Sequence, residues 1–205
     1  MSALTLTRCG QRDRLGLKGP RAAEWLVAQG IVLPMAPNSW THSQESDGGE
    51  SILVARLGQV EFFLEGPADG TTLQGIAPSL NQRLQGVYPV LREDSGFRLG
   101  GEGVDAVLAQ VCNVNFAALT LDSHPVIMTL MIGVAVLVVP QVGAARQVGA
   151  ARQGGAARQG GAAGLGAAGG REYRIWCDPT FGPYLGESLG AVVSECGGRY
   201  MGVSG

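Results

Sequence analysis

Residues 51–66, SILVARLGQVEFFLEG, place the tightest constraint on the fold of this chain of 205 residues. Two runs rich in β-branched and aromatic residues, 52–57 and 60–64, flank Gly58 and Gln59. Such runs on either side of a glycine predict a tight β-hairpin, because glycine allows the backbone to reverse direction. We expect this hairpin to lie in the middle of a β-α-β-β-α unit.

A strand and a helix before the hairpin, and a helix after it, complete the predicted unit. The strand 15–19 leads through Pro20 into a helix over 21–29, and proline suits the first turn because its missing N–H is not needed there. A second helix is predicted over 71–85, where Leu73, Ile76, Leu80 and Leu84 recur at helical spacing.

A similar order of elements recurs in the second half of the chain. The predicted elements are strands at 88–91, 97–99 and 171–177 and helices at 104–112 and 181–194. The apolar run 126–139 predicts either one buried strand or a strand pair folded at Gly133. The strand 171–177 is expected to be half-buried, and the last residues are expected to form a short tail. The sequence thus predicts an α+β fold with a duplicated β-α-β-β-α module, whose ferredoxin-like halves at 1–86 and 87–205 form one compact domain.

Residues 141–170 interrupt the second half with a six-residue repeat, QVGAAR-QVGAAR-QGGAAR. Glycine is frequent and little beyond alanine can be buried, so we predict a disordered insertion between two adjacent strands. A hairpin tolerates a long loop because the entropy of loop closure grows slowly with length. The letters GLGAAG at 164–169 match G-x-G-x-x-G, but they follow low-complexity sequence and precede a strand, so they do not indicate a dinucleotide site.

Composition argues against several classes of function. A net charge of −2 gives no electrostatic signal for nucleic acid binding. The four cysteines lie far apart, so we predict neither a metal cluster nor a disulfide framework, but reduced thiols in a cytoplasmic protein. The uncharged run 126–139 is shorter than the roughly 20 apolar residues of a membrane span. No signal peptide is expected at the N-terminus.

No arrangement of residues predicts a catalytic or metal site. The histidines, His42 and His124, lie in no catalytic motif, and His42 falls in the polar stretch 41–50, which we expect to be a surface loop. Carboxylates such as Glu61 are scattered along the chain without a partner. These features favour a binding or accessory subunit over a self-sufficient enzyme.

The order and spacing of several short motifs produce a family resemblance. The motifs are LP at 33–34, PN at 37–38, ARLGQVEFFL at 55–64, FRLGGEGVDAVL at 97–108 and YRIWCDPTFGPYLGESL at 173–189. Together they resemble the gamma subunit of heterotetrameric sarcosine oxidase and, through it, the folate-binding T-protein of the glycine cleavage system. The chain departs from the family pattern at Gln59, Val60, Phe62 and Thr180.

The resemblance implies a T-protein-like fold and a non-catalytic role without a cofactor on this chain. Its partners would be the larger flavin- and folate-binding subunits of a complex that demethylates sarcosine, or another N-methyl amine, and passes the one-carbon unit to tetrahydrofolate. One alternative is a folate-binding, formaldehyde-trapping subunit of another methylamine demethylase or monooxygenase. A free-standing aminomethyltransferase is disfavoured, because the T-protein is much longer.

Three residues are candidates for an interface or pocket: Arg56, Glu61 and Trp176. For Glu61 the favoured interpretation is a strand-edge carboxylate that accepts hydrogen bonds from backbone N–H groups of a neighbouring turn, since a buried carboxylate is costly unless it is paired. The alternative is a polar contact at the partner interface or in a folate pocket.

Overall fold

The computed structural model of the chain describes residues 3–44, 51–67, 70–80, 85–143 and 170–204, which form an α+β fold with two β-sheets. The strands are β1 Thr5–Cys9, β2 Arg14–Lys18, β3 Ser39–Ser43, β4 Ile52–Arg56, β5 Glu61–Glu65, β6 Tyr88–Val90, β7 Ser95–Gly100, β8 Ile127–Met131, β9 Val134–Val142, β10 Arg171–Cys177 and β11 Arg199–Ser204. The helices are α1 Ala22–Ala28, α2 Thr72–Leu80, α3 Val104–Val111 and α4 Gly182–Glu195, with short 3-10 helices at Phe116–Ala118 and Pro179–Phe181.

The first sheet has the strand order β3-β4-β5-β2-β6, and the second has the order β11-β1-β7-β10-β9-β8. In the first sheet β3, β4 and β5 form a meander, and β5 lies beside β2, the strand that precedes α1. In the second sheet β8, β9 and β10 form a meander, and β10 lies beside β7, the strand that precedes α3. The predicted central hairpin is confirmed as β4 and β5, which are antiparallel, with Val54 opposite Leu64.

Two segments that we predicted to lie outside the sheets form edge strands. Residues 41–43, expected in a surface loop, belong to β3, which pairs with β4. The C-terminal residues, expected as a tail, form β11, which runs parallel to β1. Both predictions were wrong for the same reason: these strands are short and lack an alternating apolar pattern, so pairing with a neighbouring strand defines them.

The two sheets do not separate at the predicted boundary between residues 86 and 87. Strand β1, from the first half, lies in the second sheet beside β7. Strand β6, from the second half, lies in the first sheet beside β2. Each sheet is therefore completed by a strand from the other half of the chain.

Helices cover one face of each sheet, and the other faces pack against each other. Helices α1 and α2 pack on the first sheet around Leu17, Leu26, Phe62 and Leu64. Helices α3 and α4 pack on the second sheet around Phe97, Leu108, Ile175 and Leu189. Between the sheets lies a third cluster, here called the inter-sheet layer: Trp40, Leu53, Ala55, Leu57, Phe63, Val126, Leu137, Val139 and Trp176.

Strand β10 is buried on both faces, whereas the sequence predicted a half-buried strand. Tyr173 and Ile175 pack towards α3 and α4, as the alternation of side chains requires. Arg174 and Trp176 point the other way and are buried as well, because the first sheet covers them. The predicted alternation is correct, and the predicted exposure of the second face is wrong.

The apolar run 126–139 forms the predicted strand pair folded at a glycine. Strands β8 and β9 are joined by a two-residue turn in which Ile132 has φ 49° and Gly133 has φ 80°. Strand β9 pairs with β10, and the N–H of Gly143 donates to the carbonyl of Gly170 at 2.8 Å. The predicted insertion thus connects two neighbouring strands, while residues 144–169 themselves, with the predicted disorder, lie outside the described residues. No helix in the described ranges combines the length and hydropathy needed to cross a membrane.

Candidate functional site

Glu65, at the end of β5, is the most deeply buried carboxylate among the described residues, with 2% of its surface exposed. It accepts a hydrogen bond from Nε of Arg14 at 2.6 Å and one from the indole N–H of Trp176 at 2.7 Å. The guanidinium of Arg174 donates to its other oxygen. Arg14 belongs to the first sheet, and Arg174 and Trp176 belong to the second, so one carboxylate joins the two sheets.

Strand alternation explains why these side chains meet. Arg14 lies directly opposite Glu65 in the β2–β5 pair, so both side chains point to the same face. Arg174 and Trp176 are two residues apart on β10 and therefore share a face as well. Burial lowers the pKa of the Arg174 guanidinium, and the Glu65 carboxylate opposes that shift. The cluster is a buried ionic contact between the sheets, and it does not line the pocket described below.

A second set of charges lies further out in the same layer. Arg92 places its guanidinium 3.5 Å from the Glu61 carboxylate and 3.8 Å from that of Asp94. It also lies over the ring of Phe63, 5.5 Å from the centroid. Burial raises the pKa of Asp94, and Arg92 opposes the rise. Among the described residues, Oδ2 of Asp94 and Nε of Arg92 are buried without a hydrogen-bond partner.

The three candidate residues from the sequence analysis have different surroundings. Trp176 lies in the inter-sheet layer and donates to Glu65. Glu61 lies at the margin of that layer, with 41% of its side chain exposed, and its partner is Arg92. The expected hydrogen bonds from backbone N–H groups to Glu61 are absent among the described residues, so that interpretation was wrong. Arg56 lies elsewhere: its guanidinium donates to the carbonyls of Met35 and Gln59 and so holds the turn between β4 and β5.

The sequence analysis missed Glu65, although a signal for it was present. The letters EFFLE place Glu61, Phe63 and Glu65 on one face of β5, and REYRIWC places Arg174 and Trp176 on one face of β10. Charges of opposite sign at these positions are compatible with a contact between the two faces, which the packing of the sheets then forms.

An open pocket of about 320 Å³ lies at the edge of the inter-sheet layer. It is lined by Trp40, His42, Leu121, Asp122, His124, Pro140, Gln141 and Val142. The Trp40 ring stacks on His124, with centroids 4.7 Å apart, and meets His42 edge-on at 5.2 Å. The predicted solvent exposure of His42 is confirmed, but the predicted loop is wrong: His42 lies on β3, beside Trp40.

The pocket offers a ligand aromatic faces together with a few polar groups. Partial burial lowers the pKa of His42, and its Nδ1 lies 3.0 Å from the hydroxyl of Ser51. The indole N–H of Trp40 is buried without a partner among the described residues. Asp122 and Gln141 add a carboxylate and an amide. This combination suits a flat, polar ring, whereas no group of His, Cys, Asp or Glu side chains in the described part of the chain is arranged to hold a metal ion.

Comparison with known proteins shows similarity of fold alone. No protein-family model matches the chain, and no curated protein sequence matches it. The glycine cleavage system aminomethyltransferase T from Bartonella henselae matches with a TM-score of 0.60 and 14% identity, over 98% of this chain and 48% of that one. This chain therefore spans about half the length of the aminomethyltransferase.

The heterotetrameric sarcosine oxidase from Corynebacterium sp. U-96, in complex with pyrrole 2-carboxylate, also matches with a TM-score of 0.60. Identity is 21%, and the match covers 95% of this chain and 85% of that one. The predicted relationship in fold to both proteins is confirmed.

Proposed function

We propose that this chain is a gamma-type accessory subunit of a heteromeric oxidoreductase complex similar to sarcosine oxidase. The observation that carries the proposal is the agreement in length: the match covers 95% of this chain and 85% of one chain of an enzyme that is itself a heterotetramer. In the proposed complex, larger cytoplasmic subunits bind flavin and tetrahydrofolate. They demethylate an N-methyl amine such as sarcosine and pass the one-carbon unit to tetrahydrofolate.

The arrangement of the core supports an accessory role. The charged groups of Glu65, Arg14 and Arg174 are buried between the sheets and paired with one another, so they are not open to a ligand. Met128 and Leu130 lie on one face of β8 and are 56% and 60% exposed, and a contiguous exposed apolar surface is typical of protein contacts. We also propose that the two sheets derive from a duplicated unit, because β2-β5-β4-β3 and β7-β10-β9-β8 are arranged in the same order.

The direct test is to express this chain together with the flavin- and folate-binding subunits from the same source and to purify the assembly. We expect a stoichiometric complex that oxidises sarcosine, measured by the formation of hydrogen peroxide and 5,10-methylenetetrahydrofolate, and an isolated chain without this activity. Elution of this chain apart from the flavoprotein, in an otherwise active preparation, would overturn the proposal.

A second candidate function is folate binding by this chain itself, within another methylamine demethylase or monooxygenase. The pocket beside Trp40 favours it, because the exposed His124 ring, which stacks on Trp40, provides a surface for a pterin ring and Asp122 and Gln141 provide hydrogen-bonding groups. The chemistry of one-carbon transfer would be supplied by tetrahydrofolate when bound.

Titration of the purified chain with tetrahydrofolate, followed by tryptophan fluorescence, tests the second candidate. We expect quenching in the wild type and in Trp25→Phe, which changes a tryptophan outside the pocket, and a much weaker response in Trp40→Leu and His124→Ala. Equal binding by all variants, or none by the wild type at millimolar tetrahydrofolate, would exclude a folate site in this pocket.

A further inference from the structure

The four edges of the two sheets differ in how they are protected against pairing with another strand. Strand β6 contains Pro89, which cannot donate a backbone hydrogen bond. Strand β11 begins with Arg199, and its pairing with β1 contains an irregularity after Thr7. Charge, proline and bulges are the usual means by which proteins block edge strands.

The outer edge of β3 is protected in a different way, by another part of the chain. The N–H of Trp40 donates to the carbonyl of His124 at 2.9 Å, and the N–H of Val126 donates to the carbonyl of Asn38 at 2.8 Å. Ser39 also forms an isolated bridge with Pro125. This edge is therefore occupied at its N-terminal end.

Strand β8, with the sequence IMTLM, has none of these protections among the described residues. It contains no charge and no proline, and Met128 and Leu130 are 56% and 60% exposed. Ala135, opposite Leu130 on β9, is exposed as well. The result is a neutral edge strand whose alternate side chains form a small apolar strip.

Within the described residues, the backbone of β8 also has no partner at this edge. Met131 and Val134 flank the two-residue turn, in which both central residues have positive φ, so they form the hydrogen-bonded closing pair. Hydrogen-bonded and non-hydrogen-bonded pairs alternate along an antiparallel ladder. Met128 and Leu130 therefore direct their N–H and C=O groups away from β9, towards the open edge.

We propose that the outer edge of β8 binds an extended segment of another subunit as an additional β-strand. This inference rests on the proposed function, because the partner it names is a subunit of the oxidoreductase complex. An added strand pairs through its backbone, so it satisfies the outward N–H and C=O groups of Met128 and Leu130. The exposed side chains of these two residues select apolar residues at alternate positions of that strand.

The small area that strand β8 can bury favours a different subunit over a second copy of this chain. Met128 lies opposite Leu137, which belongs to the inter-sheet layer, so the incoming strand would extend that layer sideways. Pairing of two five-residue strands alone buries far less than the roughly 1,200 Å² of a stable interface. A partner segment that continues beyond β8 across the neighbouring surface supplies the rest.

The test uses the complete chain assembled with its flavin- and folate-binding subunits and compares it with the free chain. Hydrogen–deuterium exchange reports on the amides of residues 127–131. We expect the Met128 and Leu130 amides to exchange rapidly in the free chain and at least about tenfold more slowly in the complex, because a paired amide exchanges only when the pairing opens.

Two variants change the edge in different ways, and a third is the control. Leu130→Pro removes an outward N–H that has no acceptor in the described part of the chain, and Met128→Lys adds a charge to the strip. We expect each to weaken assembly about tenfold or more, which corresponds to about 1.4 kcal/mol, with wild-type circular dichroism and melting temperature. Met35→Lys places the same charge on an exposed methionine in the segment between α1 and β3, beside Arg56, and should assemble normally.

The outcomes are distinguishable. If the wild-type complex forms and β8 remains unprotected, or if both β8 variants assemble as well as the Met35→Lys control, the pairing is overturned and the proposed function stands. If the wild-type chain does not assemble with the oxidase subunits, the proposed function and the pairing both fall. If the free chain forms a dimer that Leu130→Pro abolishes, the occupant is a second copy and the proposal is overturned.

Discussion

Glu65 and Glu61 lie four residues apart on the same face of β5, yet their surroundings are opposite. Glu65 has a side chain that is 1% exposed and receives hydrogen bonds from Arg14, Arg174 and Trp176. Glu61 has a side chain that is 41% exposed and one cationic neighbour at 3.5 Å. Residue type, strand and face are the same. The comparison shows that a glutamate is buried here where donors from both sheets converge on it, which compensates for the loss of water.

Among the substitutions that test this comparison, Glu65→Ala should lower the free energy of unfolding most. The substitution leaves the guanidinium groups of Arg14 and Arg174 buried without their anion, so we expect a loss of about 3–5 kcal/mol in the free energy of unfolding. Glu65→Gln keeps an acceptor but removes the charge and should be destabilising by less. Urea denaturation measures both, and a loss below about 1 kcal/mol for Glu65→Ala would mean that the buried pair makes no net contribution.

Trp176→Phe should have the next largest effect. It removes one of the three donors to Glu65 and reduces packing against Phe63, whose ring centroid lies 5.1 Å from that of Trp176. Leaving a buried acceptor short of one donor costs about 1–3 kcal/mol. Trp25→Phe is a matched control on α1, outside the inter-sheet layer, and should lose less in the same urea titration. Equal losses would show that the hydrogen bond to Glu65 is unimportant.

Asp94→Asn sharpens the comparison with a carboxylate that is partly buried but poorly paired. Burial raises the pKa of the Asp94 carboxyl group in the folded protein. The contribution of Asp94 to stability is therefore present below the unfolded pKa and is lost as the pH rises through the folded pKa. A neutral amide avoids that loss. We expect Asp94→Asn to melt at or above the wild-type temperature at pH 7, with the difference disappearing near pH 3. A lower melting temperature at pH 7 would contradict this.

Glu61→Gln and Glu61→Ala should have the smallest effects. The side chain is partly exposed and its pair with Arg92 is long, so each variant should lose less than about 1 kcal/mol in the free energy of unfolding. Both variants should also be tested for assembly with the partner subunits. Normal stability with lost assembly would establish the interface interpretation of Glu61.

Local patterns were sufficient to predict the parts of the fold that are themselves local. The β4–β5 hairpin and the turn at Gly133 each combine β-branched runs with a glycine, so they follow from neighbouring residues. Strands β3 and β11 could not be predicted in this way, because a short edge strand is defined by the strand beside it. In both cases that neighbour was not apparent from the local sequence.

The two sites depend on contacts between distant segments. Alternation places Glu65 on a defined face of β5, but whether that face is covered depends on how the second sheet packs against the first. Trp40 and His124 belong to segments that are far apart in sequence and meet because Ser39 forms a bridge with Pro125. No periodicity within either segment indicates that meeting.

The exchange of β1 and β6 between the sheets has a consequence for the order of events during protein synthesis. Thr5 lies opposite both Gly100 and Arg199, so β1 emerges from the ribosome long before either of its neighbours. Contacts between residues this far apart in sequence slow folding, and an unpaired strand is prone to misassembly in the meantime. One side of β1 can pair once β7 has been made, but the other side must wait for Arg199, and a fragment that ends before Arg199 would leave β1 exposed along that side.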